Sequence, residues 1–264
     1  MMITDPEQWM RERNYVAPKR IISLVPSQTE LICDLGAADA LVGVTKFCVH
    51  PPDIRKKAGV IGGTKNLRME VMRKLAPDLI IANLEENVKE QVEALAEDFP
   101  VWVSDVRDVD GALEMIRCVG ILLGSPLGTA GLIADITAAF DRLELLVRDS
   151  KDISTLYCIW KSPWMSVGAD TFIHDVMQRA GLQNVCGDRL RYPELSEADI
   201  RRLRPELILL SSEPYPFTGK LVSEMAEIAP WANVQLVDGE YFSWYGSRLK
   251  GAVNYLHNFR KSLL

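Results

Sequence analysis

The segment Arg73–Asn87, RKLAPDLIIANLEEN, returns later in the chain at Arg201–Tyr215 as RRLRPELILLSSEPY. Leu75 and Leu203, Pro77 and Pro205, the acids Asp78 and Glu206, then Leu79 with Leu207 and Ile80 with Ile208 coincide. Both copies end in polar residues that include a Glu. Like segments in the same order are the mark of a duplicated plan. Each copy reads as a helix end, a proline and a short apolar run, which is the pattern of a strand buried on both faces.

The likeness extends outward from this pair. Upstream, RIISLVPSQTELICDLGAADALVG (Arg20–Gly43) is answered by STLYCIWKSPWMSVGADTFIHDVMQRAGLQNVCG (Ser154–Gly187): strand, loop, helix, and a glycine stop at Gly36 and Gly181. Downstream, FPVWVSDVRD (Phe99–Asp108) parallels WANVQLVDGEYF (Trp231–Phe242), again a strand running into an acidic loop. Alternating strands and amphipathic helices imply crossover connections, hence an α/β fold of two lobes with mainly parallel sheets. Between the copies, Leu132, Ile136, Ala139, Phe140, Leu143, Leu146 and Val147 keep helical spacing, which predicts one long connecting helix. The domain reading is therefore an N-terminal extension over 1–18, a first lobe over 19–124, a linking helix over 125–150 and a second lobe over 151–264. In LVPSQTELI (Leu24–Ile32), Ser27 followed by Glu30 three residues later predicts a capping box at the start of a helix.

The 264 residues are 48% apolar and 25% charged, with a formal net charge of -6. That balance, without a long run of Lys or Arg, excludes nucleic acid as the partner. No apolar run reaches the roughly 20 residues that cross a bilayer, so the chain is not expected to be membrane-embedded. The start, MMITDPEQWMRERNYVAPKR, carries acids and Trp9 where a secretory leader needs a basic start and an apolar core. The expectation is cytoplasmic for the chain as it stands, and periplasmic if a leader has been trimmed away. Five cysteines in apolar surroundings, with no C-x-x-C pair, read as reduced core thiols.

In open parallel sheets ligands bind beyond the carboxyl ends of the strands. The loops there gather aromatic residues: Phe47 in the first half, and Trp160, Trp164, Tyr192, Tyr215, Phe217, Tyr241, Phe242, Trp244 and Tyr245 in the second. Rings in loops must cover something, the core, the other lobe or a large flat ligand, and as a cluster they predict a ligand platform. Interleaved are Lys46, Arg107, Lys161, Arg191 and Arg248, the cations a bulky anionic ligand would want above an apolar floor. Arg248 is the favoured one, at the start of the last helix.

Several motifs are then matched in order. KRIISLVPSQTELICDLGAADALVGVTKFCVHPP, VIGGTKNLRMEVMRKLAPDLIIAN and VGADTFIHDVMQRAGLQNV resemble the helical-backbone substrate-binding proteins of ABC importers for cobalamin, haem and ferric siderophores, with the cobalamin binders nearest. The resemblance runs from about Lys19 to the end. It implies two Rossmann-like lobes joined by one long backbone helix, a shallow cleft between them, and a metal-containing ligand with no built-in cofactor. By motif position it adds His50, before Pro51 and Pro52, to the ligand-binding candidates Phe47, Trp160, Trp164, Tyr192, Tyr215, Phe217, Trp244, Tyr245 and Arg248. Family members dock on an ABC permease through a glutamate on each lobe. Glu70 fits the first, and Glu197 stands beside Ala198, which occupies the second position. A monomer is expected.

A dedicated metal site is not expected, since Cys48 and His50, with Glu85 or Glu86, are the nearest thing to a ligand set. His174 reads as a packed or surface helix residue. The competing function is a cytosolic enzyme of tetrapyrrole or metal handling, chelatase-like, using the carboxylates of NLEEN and SDVRD. No nucleophile elbow, phosphate loop or zinc-protease motif supports it; VIGGTKN reads as a turn.

Overall fold

A computed structural model describes residues 1–263. Each copy of the repeat folds the same way. The helices Met69–Leu75 and Glu197–Leu203 both end on a left-handed residue, Ala76 and Arg204, immediately before the proline. The following strands, Leu79–Asn83 and Leu207–Ser211, are buried at every position. The acid after each proline pins the start of the neighbouring strand. Asp78 accepts the backbone N–H of Lys19 and of Arg20 at 2.9 Å, and Glu206 accepts Ser154 N–H at 3.2 Å and Lys151 Nζ at 2.7 Å. Strand pairing continues through Asp78 N–H to Arg20 carbonyl and Glu206 N–H to Ser154 carbonyl. The acid is thus a register device, repeated with the rest of the plan.

The ten strands of the two main sheets are labelled β1 (Met2–Ile3), β2 (Ile21–Ser23), β3 (Leu41–Val44), β4 (Gly59–Val60), β5 (Leu79–Asn83), β6 (Val101–Ser104), β7 (Ile153–Cys158), β8 (Leu182–Asn184), β9 (Leu207–Ser211) and β10 (Asn233–Val237). The first sheet has the order β1-β6-β5-β2-β3-β4 and the second β8-β7-β9-β10. Every pairing in both is parallel. The chain divides into two compact units. The first comprises Met1–Val106, Asp110–Asp135 and Tyr245–Arg248; the second comprises Arg107–Val109, Ile136–Trp244 and the chain from Leu249 onward. The long helix Pro126–Val147 carries residues of both, buried at Ile136, Ala139, Phe140 and Leu143 as its spacing predicts. The fold is two α/β units with parallel sheets joined by one long helix.

The first eighteen residues are not a bare extension: β1 adds an edge strand beside β6, and Trp9 and Met10 of the helix Pro6–Glu12 are buried. The helix after β2 starts earlier than the capping-box pattern predicts. Pro26 occupies its first turn, so the N-cap is Val25, and no side chain caps the helix. Proline's fixed φ suits the first helical position, and Ser27 consequently lies inside the helix. A capping box does form at Ser196 and Asp199 in the second unit. Gly36 and Gly181, with φ of +81° and +65°, end the equivalent helices, a conformation that costs a side-chain-bearing residue more. Among the described residues no helix is long and apolar enough to cross a membrane.

Candidate functional site

Parallel strands place their carboxyl ends on one edge of each unit. In the second unit the edge is built from the loops after β7, β9 and β10, and the aromatic residues there form a ladder. Trp164 stacks on Phe217, with centroids 6.0 Å apart and planes 5° apart. Phe217 meets Tyr215 at 4.8 Å, and Tyr215 meets Trp160 edge-on at 5.3 Å. Trp164 and Phe217 belong to the core cluster with Leu156, Leu195 and Leu210, whereas Tyr215 is half-buried and Trp160 is 40% exposed. The ladder thus climbs from interior to surface. Of the rings expected to grip a ligand, Trp164, Phe217, Trp244 and Tyr245 are buried; Trp164 and Phe217 support this edge rather than present themselves on it. Trp160 remains open, with Tyr215 and Tyr192 partly so.

In the first unit Phe47 is 49% exposed. Its ring lies under Lys46 Nζ, 4.9 Å from the centroid, and close to Gly63, where a Cβ would be 3.2 Å from the ring. His50 is half-buried. Cys48 faces inward, bonded to Thr29 and Thr45 hydroxyls at 3.2 and 3.3 Å. It is therefore not poised with His50 as a ligand pair. Among the described residues no group of three His, Cys, Asp or Glu side chains is arranged to hold a metal.

Three of the five cations expected to receive an anion are engaged within their own units. Arg248 forks onto Glu30 (Nε to Oε2 2.9 Å, Nη2 to Oε1 2.7 Å), both in the first unit. Lys161 is bonded to Glu224, and Arg191 lies 3.7 Å from Asp170. A guanidinium already matched by a carboxylate offers little net charge to a ligand. Arg248, the favoured cation, is thus matched within the first unit, and Lys161 and Arg191 face carboxylates of the second.

One carboxylate at the edge of the second unit has no such partner. Glu213 follows β9 at the position that Glu85 takes after β5. In both copies the strand's last side chain turns back to this residue: Asn83 Oδ1 accepts Glu85 N–H at 2.9 Å, and Ser211 Oγ accepts Glu213 N–H at 3.3 Å. Glu213 Oε1 accepts Ser243 Oγ–H at 2.6 Å and Trp244 Nε1–H at 2.8 Å. Burial pushes its carboxyl pKa up despite those two bonds, with Glu240 and Asp238 adding to the rise. Gly239 permits this packing, since a Cβ there would stand 2.2 Å from Ser211 Oγ and 2.7 Å from Glu213 Cγ. Sequence reading noted the repeated Glu but not its burial, because its partners lie about thirty residues later, at 239–244.

The five cysteines are free thiols, four of them buried. Burial raises Cys33 to about 11 and Cys118 to about 12, so neither supplies a thiolate at neutral pH. His174 is held between Asn184 (3.1 Å) and Gln178 (3.3 Å), its pKa lowered by burial, a packed helix residue. Glu70 and Glu197 both lie exposed in the first turns of equivalent helices, each paired with an arginine of its own helix, Arg73 and Arg201.

Residues 21–236 match the periplasmic binding protein family. An uncharacterized ABC transporter substrate-binding lipoprotein of Bacillus subtilis, YvrC, is 27% identical over 201 residues, 73% of this chain and 63% of that protein. The vitamin B12-binding protein of Pectobacterium carotovorum is 24% identical over 241 residues, 89% of this chain and 86% of that one. The chain thus matches less than two thirds of the length of the Bacillus protein. Among solved structures, the periplasmic heme-binding protein RhuT from Roseiflexus superposes with a TM-score of 0.79 at 22% identity, covering 92% of this chain and 98% of that one. That likeness shares the two-lobed α/β fold.

Proposed function

Because this chain belongs to the periplasmic binding protein family, we propose that it captures a bulky metal-containing compound, a cobalamin-type corrinoid first and haem or a ferric siderophore after it, without turning it over. The observation that carries this reading is the Trp160–Tyr215 pair, open at the carboxyl edge of the second sheet and founded on the buried Trp164–Phe217 stack. A rigid aromatic ledge suits a large flat ring. The relatives named for vitamin B12 support the corrinoid. So does the charge pattern, since paired arginines favour a ligand without net negative charge. The chelatase-like enzyme is the alternative, and the relatives named as binding proteins favour capture over it.

Titrating the protein with cyanocobalamin, haemin and ferrichrome should quench tryptophan fluorescence saturably at one equivalent, most tightly with the corrinoid. Silence with all three overturns the reading, and conversion of more than one equivalent of any of them restores the enzyme. Trp160→Ala should weaken corrinoid binding about tenfold, roughly the loss of one ring stacked on another. Its melting temperature should be unchanged, since the ring is already at the surface.

The same reading makes an ABC permease the partner, with Glu70 and Glu197 as docking acids and the binding protein acting as a monomer. Their places in matching helices of the two units favour a two-point attachment. Glu70→Ala should weaken capture by permease-bearing vesicles while leaving cyanocobalamin affinity intact; unchanged capture removes Glu70 from the contact.

A further inference from the structure

Glu213 is an uneconomical side chain in a merely structural role. A mostly buried carboxylate is ordinarily matched by a cation, because desolvating its charge is costly. Here one oxygen, Oε1, receives both Ser243 and Trp244, and Oε2 has no partner among the described residues. The groups facing it do not supply one: Asp238 and Glu240 are acids, and Tyr157 is turned to Ser211, its hydroxyl 3.1 Å from Ser211 Oγ. The side chain cannot easily turn away, since its backbone N–H is tied to Ser211 and Gly239 closes on its Cγ. Its residue is nevertheless not sealed from solvent. It stands at the carboxyl end of β9, a central strand of its sheet, where ligands of parallel sheets bind. A fixed acceptor, unmatched and aimed outward, is built for a donor that arrives with the ligand.

We propose that Glu213 is a specificity-determining contact: its Oε2 accepts an N–H from an amide on the rim of the bound ligand and rejects a carboxylate at the same place. The proposal rests on the corrinoid reading above and deepens it, because corrin rings carry amide side chains whereas haem carries carboxylates. The two oxygens divide the work. Trp244 and Ser243 fix the orientation through Oε1, and Oε2 discriminates.

The test uses the full chain and two probes, dicyanocobinamide, whose ring bears amides, and the same ring with those amides hydrolysed to carboxylates. Wild type should prefer the amide form by about 10- to 100-fold, the worth of one hydrogen bond to a charged group. Affinity for the amide ring, which does not titrate here, should fall as the pH falls through the Glu213 carboxyl, since protonation converts Oε2 from acceptor to donor. In Glu213→Gln the amide oxygen must face Trp244, whose indole N–H can only donate. Its NH2 is then left pointing outward. The variant should lose about 10- to 100-fold in affinity for the amide ring, gain affinity for the carboxylate ring, and bind the amide ring, which does not titrate here, without pH dependence in this range. It should also melt no lower than wild type at neutral pH. Burial raises the folded carboxyl's pKa, so ionisation at neutral pH costs the folded state stability, and a neutral isostere removes that cost.

A structural role predicts the reverse pattern, with stability lost and selectivity kept. An unchanged amide-to-carboxylate ratio in Glu213→Gln overturns the proposal, as does a pH-independent affinity of wild type for the amide ring, which needs no variant. If wild type binds the carboxylate ring or haemin as tightly as the amide ring, Glu213 is not a selector although the binding function stands. If it binds no corrin at all, the corrinoid reading itself falls and takes the selector with it.

Discussion

Arg248→Ala should destabilise the protein by up to about 3–5 kcal/mol, the loss at the limit of full burial when one member of an ion pair is removed and the other is left uncompensated. Arg248 and Glu30 are only 13% and 16% exposed at their side chains and meet through two hydrogen bonds of 2.9 and 2.7 Å. The pair ties Tyr245–Arg248, a late return of the chain to the first unit, onto the helix that follows β2. Gly246 packs beside it, where a Cβ would come 3.3 Å from the Ser27 carbonyl. The penalty belongs to the stranded carboxylate rather than to the lost attraction. The double variant Glu30→Met with Arg248→Met should therefore recover most of the stability, because apolar side chains of similar size commonly replace buried pairs at little cost. Urea denaturation of the two single variants, the double variant and wild type closes the cycle. If Arg248→Ala melted like wild type yet lost ligand affinity, the arginine would be a ligand contact after all and the structural assignment would fail.

That pair also marks where sequence reading stops. The parallel sheets were legible because strands buried on both faces are continuous apolar runs, and Leu79–Asn83 and Leu207–Ser211 are such runs, announced by the same proline and acid. The long helix was legible from Ile136, Ala139, Phe140 and Leu143, which its period brings to one side and the fold buries. Short elements give no period to read, so nothing in the sequence marks β1, with only Met2 and Ile3 in it, as a strand. The helix start at Pro26 shows two local rules in competition. A serine three residues before a glutamate and a proline at the first helical position make different predictions, and the proline's fixed backbone angle wins.

The site was harder for a different reason. Glu30 and Arg248 are 218 residues apart, and nothing in either neighbourhood names the other. A free cation and a paired one look alike in a sequence. Rings have the same ambiguity, since the solvation cost that keeps Trp164 inside is the cost that makes an exposed Trp160 informative. Sequence could say that these loops hold too many aromatics to be idle; only packing divides supports from contacts. Glu213 went unread because its burial depends on Gly239, Ser243 and Trp244, which arrive after β10.

The division between supports and contacts makes Trp164→Ala the second large effect. Deleting this ring should cost about 3–5 kcal/mol, as for other buried large aromatics. It sits on a short strand, Trp164–Met165, paired antiparallel with Glu194–Leu195, and its removal opens a void against Phe217, Leu195 and Leu210. For a domain whose whole stability is of the order of 5–15 kcal/mol, that is a large share. The loss should propagate outward along the ladder. Phe217 loses its stacked neighbour, Tyr215 loses the ring it leans on at 4.8 Å, and Trp160 loses its fixed edge. Corrinoid affinity should therefore fall in Trp164→Ala although Trp164 itself is buried, and Trp164→Phe, which refills part of the void, should restore stability and affinity together. Trp160→Ala separates the two quantities, losing affinity with stability kept. Circular dichroism melts set beside fluorescence titrations of the three variants decide the matter. If Trp164→Ala kept its melting temperature and lost only binding, the ring would be a direct contact and the ladder would not be founded on the core.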